Sequence, residues 1–160
     1  YDSNCMKVTT HALAGLVAGI VFYSSPIPIL LVVVGALFPD IDKVGSTISK
    51  RLPFGRSIST VVELSFTHRG FFHSLWIPAL LFVTTHTTSY FPQPTSYPLL
   101  LGYCSHLVLD ACTLSGIRPL YPFNMFHVKG NIKTGGWKEN FFVVVLLAIS
   151  LVIIVKKFFW

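Results

Sequence analysis

Residues 141–155 read FFVVVLLAISLVIIV: one serine, no charge, and a closing pair of lysines, Lys156 and Lys157. Such a run has no polar face to offer water, so it is either deep core or a membrane span. Composition decides between the two. The chain has 160 residues, of which 52% are hydrophobic and only 11% charged, and its mean hydropathy is +0.67. An ordinary soluble domain carries about 25% charged residues. A soluble fold of this size has too little interior to hide so much apolar surface. The expectation is therefore an integral membrane protein with a single domain over residues 6–160. Residues 1–5, YDSNC, precede Met6 and are set aside from the fold.

Four further apolar segments precede the first one quoted. They run from about Thr9 to Tyr23, Ile27 to Phe38, Ser74 to Phe91 and Tyr97 to Cys112. The predicted fold is all-α, a compact integral-membrane bundle of about five apolar helices. The first two are short: 15 helical residues rise about 23 Å, against roughly 30 Å of hydrocarbon. They are expected to tilt, to sit shallow or to thin the bilayer. Gly15 and Gly19 form a GxxxG pair that permits close helix packing.

The formal charge of +6 raises the question of nucleic acid. The basic residues, however, form neither a run nor a helical stripe. They fall in loops between apolar segments, which suits an anionic membrane leaflet and gives no reason to expect a specific nucleic-acid partner. If every segment crosses, Lys7, Lys43, Lys50, Arg51, Arg56, Arg69, Arg118, Lys129, Lys133 and Lys138 share one side, and Lys156 and Lys157 take the other. The positive-inside rule makes the crowded side cytoplasmic. Cys5, Cys104 and Cys112 are an odd set without CxxC spacing, hence no disulfide framework and no Cys-rich zinc site. Cys104 and Cys112 read as small buried hydrophobes.

Against this apolar background, a few polar side chains are out of place. GALFPDID puts Asp40 and Asp42 just past the second segment. GYCSHLVLD puts His106 and Asp110 at i and i+4, on one helical face. THALAG places His11 at the entrance to the first segment, and FTHRGFFHSL places His68 and His73 before the third. The alternation of segments puts all seven on one side of the membrane. Ionisable groups at membrane depth are costly and are usually paired or functional. Imidazole plus carboxylate without thiolate suits a divalent metal, zinc first, with manganese or iron as alternatives. Seven candidate ligands exceed what one tetrahedral ion uses, so two or more ions are expected, bridged by a carboxylate.

Each residue also has a plainer reading. Asp40 and Asp42 can end a helix on a solvated face. His106 and Asp110 can be a surface pair, and His11 a satisfied polar residue. His68 and His73, at i and i+5, fit a loop leading into a helix that Ser74 caps. Arg69 is either a phosphate-binding fork or an interfacial anchor. Glu139, just ahead of the last segment, is either a further ligand or base, or a carboxylate favoured at a helix N-terminus. His86 reads as interfacial at the opposite end, and His127 as a loop residue.

The ordered series THALAG, FPDID, THRGFFHSL and GYCSHLVLD, followed by PLYPFN and IKTGGWKENF, resembles the YdjM family of membrane-bound, predicted metal-dependent hydrolases over nearly all of residues 6–145. That resemblance implies kinship with the zinc-dependent phospholipase C and P1 nuclease group, helical proteins whose metal clusters use His-x3-Asp/Glu pairs. His106 and Asp110 match one such pair; a second is not evident. It further implies phosphoester hydrolysis by metal-activated water, for which the residues themselves offer Arg69 to bind phosphate and Asp42 or Glu139 to serve in catalysis. A site at the membrane face points to a phospholipid or polyprenyl-phosphate substrate, and a compact membrane hydrolase of this kind to a prokaryotic cytoplasmic membrane. The competing expectations are a non-catalytic metal-binding or metal-transporting membrane protein, and a structural one.

Overall fold

The computed structural model describes residues 6–42, 71–87, 93–123 and 126–159. Among them are five α-helices: α1 (Val8–Phe22), α2 (Pro26–Leu37), α3 (Trp76–Thr87), α4 (Gln93–Ala111) and α5 (Trp137–Phe159). Short 3-10 turns follow α2, at Phe38–Asp42, and precede α3, at Phe71–His73. Strand pairing among the described residues is limited to two isolated bridges, Thr113 with Ile132 and Ile117 with Val128. The all-α expectation is met, and the helices overlie the five apolar segments.

Prolines punctuate the chain where its geometry requires. Pro26 opens α2, where a missing N–H costs nothing. Pro39 stands beyond the end of α2, inside the 3-10 turn. The bundle is built on α2 and α4, which meet through bare backbone. A methyl group at Gly102 would overlap the Val32 carbonyl, and one at Gly35 would overlap the Leu99 carbonyl. The GxxxG pair of α1 works the same way: a Cβ on Gly15 would come 2.7 Å from that of Ala36, and one on Gly19 3.1 Å from the Ile29 side chain. Small residues of this kind are how helices approach closely when lipid removes the hydrophobic drive between them.

Three contacts fix the direction of the helices. Lys157 Nζ donates to the carbonyls of Ile20 at 2.9 Å and Tyr23 at 2.6 Å, joining the C-terminal ends of α1 and α5. The Glu139 carboxylate meets Lys7 and Thr10 at the opposite ends of the same two helices. His86, near the end of α3, lies 3.2 Å from the Tyr97 hydroxyl near the start of α4, away from the imidazoles at the other end of the bundle.

Polarity is inverted relative to a soluble domain. The largest fully buried side chains include His11, His73, His106, Asp110 and Glu139, while Phe22, Ile27, Leu30, Leu80, Phe141 and Leu151 are exposed. Helix α5 contains a 21-residue stretch, Trp137–Lys157, long and apolar enough to cross a membrane, and almost all of it is uncovered by the rest of the chain. A soluble core helix would be covered. An uncovered one of this composition needs lipid. Among the described residues only α5 clearly has the length to cross, and α1 and α2 are shorter apolar helices, as their run lengths implied. The third segment is helical over Trp76–Thr87 among the described residues, and residues 88–92 lie outside them. Cys104 is half-buried, but Cys112 is exposed because it lies just past the end of α4, so its expected burial is corrected.

Candidate metal centre

Four elements deliver polar side chains to one end of the bundle. His11 is in the first turn of α1. His106 and Asp110 lie one turn apart at the end of α4. Asp40 sits in the 3-10 turn after α2, and His73 closes the one before α3. All five are buried. The turn carrying His73 is anchored by the Tyr103 hydroxyl, which donates to the Phe72 carbonyl. Ser74 does help start α3, as expected: its hydroxyl accepts from the Trp76 N–H at 3.4 Å and donates to the Phe71 carbonyl at 2.6 Å.

His106 is the pivot. Its Nδ1 lies 2.7 Å from the Ala36 carbonyl oxygen. A carbonyl only accepts, so Nδ1 carries the proton and the Nε2 lone pair is left facing the cluster. That Nε2 is 3.4 Å from His73 Nε2 and 3.6 Å from Asp110 Oδ2. His73 Nε2 is 3.5 Å from the same Asp110 oxygen. Bonds of about 2.0–2.1 Å to a tetrahedral ion put neighbouring ligand atoms roughly 3.3 Å apart. The triangle of His73, His106 and Asp110 is close to one face of such a tetrahedron. Asp40 Oδ1 stands 3.8 Å from each of the two imidazole nitrogens.

Asp110 faces both ways. While Oδ2 meets His73 and His106, Oδ1 lies 3.4 Å from His11 Nε2, and the His11 ring stacks on His106 with centroids 3.8 Å apart. Besides that triangle, two further sets of three donors among the described residues are close enough to share an ion: His11, His106 and Asp110, and Asp40, His73 and His106. His106 has only one free lone pair, so it can serve one of them at a time. Neither His11 Nδ1 nor His73 Nδ1 makes a hydrogen bond among the described residues. Buried imidazole nitrogens in that state are costly unless something else meets them, and an all-N,O donor set fits zinc, manganese or iron.

Of the seven expected ligands, the structure thus brings together His11, Asp40, His73, His106 and Asp110. His68 and Arg69 lie outside the described residues, as does the side chain of Asp42. Glu139 is buried but stands outside both donor groups. Its Oε1 accepts from the Lys7 N–H at 2.8 Å and the Thr10 hydroxyl at 2.9 Å, and its Oε2 from the Gly135 N–H at 2.6 Å. This carboxylate ties the start of α1, and with it His11, to the start of α5. His127 is exposed, with Nε2 2.7 Å from the Ser115 carbonyl, which accepts from it. The sequence reading missed Thr10 and the Ala36 carbonyl, whose roles depend on partners 129 and 70 residues away and leave no local signal.

Comparison with known proteins agrees with this picture of a membrane protein. YvsG of Bacillus subtilis (strain 168) is 35% identical over 142 residues, covering 84% of this chain and 86% of that protein. The inner membrane protein YdjM of Escherichia coli (strain K12) is 34% identical over 90 residues, 54% of this chain but 44% of that longer protein, and the YdjM of Shigella flexneri matches to the same extent. No solved structure matches. The family model described as YdjM inner membrane protein matches residues 6–160, and the chain belongs to that family.

Proposed function

We propose that this chain is a membrane-bound, metal-dependent hydrolase acting on a phosphoester of a lipid or other amphiphilic substrate. The observation that carries the reading is the buried triangle of His73 Nε2, His106 Nε2 and Asp110 Oδ2, with edges of 3.4–3.6 Å and one imidazole already held in the ligating tautomer. A divalent ion bound there supplies the positive charge that polarises a phosphoryl oxygen and lowers the pKa of water. His73, His106 and Asp110 would hold it. Three protein ligands around a tetrahedral ion leave a position for substrate, the usual pattern of a catalytic site. Arg69 is assigned to phosphate binding and Asp42 to proton transfer, on their place in the sequence beside His68 and Asp40. The His-x3-Asp pair of α4 supports kinship with the phospholipase C and P1 nuclease group.

A metal-transporting protein is the second reading. It would place its ligands near the middle of the helices, around a path to both sides. Here the donors stand at helix ends, and this favours an enzyme. The excess of basic residues at that end supports placing the site on the cytoplasmic side of a prokaryotic inner membrane.

The test is elemental mass spectrometry on detergent-purified protein, followed by an assay for phosphate release from phosphatidic acid and undecaprenyl diphosphate and of diacylglycerol from phosphatidylcholine. Stoichiometric metal in the wild type, lost in His106→Ala/Asp110→Ala together with hydrolysis, supports the proposal. A wild type that stays metal-free after incubation with zinc or manganese removes its basis.

A further inference from the structure

We infer that residues 113–123 and 126–136, between α4 and α5, form a membrane-surface contact that rests among anionic lipid headgroups at the end of the bundle that carries the imidazole cluster. The stretch holds Arg118, Lys129 and Lys133 and not one acidic residue, while Phe123 is 85% and Phe126 59% exposed.

The segments that carry these aromatics are joined at their base. Ile117 and Val128 exchange backbone hydrogen bonds of 2.9 and 3.0 Å. Leu114 N–H donates to the Ile132 carbonyl at 3.0 Å, and Gly130 N–H to the Thr113 carbonyl at 2.9 Å. Phe123 stands edge-on to Trp76 with ring centroids 5.6 Å apart. The base of the loop is thus held by backbone bonds, Phe123 is seated against Trp76, and the bilayer interface is where exposed aromatics beside basic residues find both apolar and anionic partners.

Its position in the chain favours lipid over protein as the occupant. Gly136 leads directly into Trp137, the first residue of the apolar window, so the loop begins where the hydrocarbon ends. The charge matches as well: an acid-free basic surface complements the anionic leaflet. The other attachments of the loop lie at the metal centre. Thr113 donates its N–H and its hydroxyl to the Asp110 carbonyl at 3.0 and 2.7 Å, and the Pro119 carbonyl accepts from the Leu75 N–H at 2.9 Å, two residues after His73. Headgroups docked on the loop therefore lie at the same end of the bundle as the donors. This inference rests on the proposed membrane crossing of α5.

The experiment is photo-crosslinking in proteoliposomes of phosphatidylcholine and phosphatidylglycerol, with p-benzoylphenylalanine in place of Phe123 and, separately, in place of Leu151, which is exposed on the apolar span. Lipid adducts at both positions are expected, with phosphatidylglycerol enriched at 123 beyond its share in the vesicle and that enrichment lost on Arg118→Gln/Lys129→Gln/Lys133→Gln. Adducts at 151 without lipid adducts at 123 overturn the inference, as does crosslinking of 123 to a protein or to a second copy of the chain. Absence of lipid adducts at 151 overturns the membrane crossing itself.

Discussion

His106 donates its Nδ1–H to the carbonyl of Ala36 at 2.7 Å, across the α2–α4 contact that Gly35 and Gly102 make possible. One backbone oxygen thereby sets the tautomer and ring orientation of the central imidazole. Such outer partners of a metal ligand typically control 10–100-fold in affinity. The contact also explains why helix packing and the site cannot be varied independently.

Histidines are expected to separate cleanly by position. His106→Ala should abolish stoichiometric metal, whereas His86→Ala and His127→Ala, both exposed and outside the two donor groups, should keep it. Metal per protein by elemental analysis checks this. Equal retention in all three variants would mean that the cluster is only a packing feature.

Asp110→Asn is nearly isosteric but removes the anionic charge that three buried imidazoles share. A metal that binds only the folded protein adds about 4 kcal/mol at a thousandfold excess over its Kd. Zinc should therefore raise the thermal midpoint of the wild type in detergent and leave that of Asp110→Asn nearly unmoved. A matched zinc shift in the variant would argue against Asp110 as a ligand.

The fold was largely readable because apolar run lengths and prolines are local signals: all five helices fall on runs visible in the sequence. The convergence of His11, Asp40, His73, His106 and Asp110 was readable because each stands at the end of a run and the runs alternate in direction. What the sequence withheld was pairing. Nothing near Glu139 announces that Thr10 and Lys7 satisfy it, and nothing near His106 announces Ala36. The shortness of α1 and α2 was itself legible, because run length times helical rise falls short of the hydrocarbon thickness.

Gly102 should tolerate no side chain. A methyl group there meets the α2 backbone at Val32, and backbone cannot step aside as a flexible side chain can. Gly102→Ala should destabilise by about 1–3 kcal/mol, in the range of overpacked cores, and should also weaken metal binding by displacing His106 from Ala36. Thermal unfolding in detergent and metal retention, measured on the same sample, test both halves. A variant of unchanged stability would show that α2 and α4 pack less closely than described.

Glu139 offers the sharpest contrast between tying the fold and serving the metal. Its oxygens already accept from Lys7, Thr10 and Gly135, and hydrogen bonds to a charged group contribute about 1.5–3 kcal/mol each. Glu139→Gln keeps the shape and one acceptor oxygen but loses the charge, so stability should fall while metal content stays stoichiometric. Thr10→Val should fall less, because it removes one donor and leaves the other two. The pair should be non-additive in a double-mutant cycle, with a coupling of about 0.5–3 kcal/mol. Thermal unfolding of the four proteins gives the coupling, and elemental analysis of Glu139→Gln gives the contrast. Loss of metal at unchanged stability would reverse the assignment and make Glu139 a ligand.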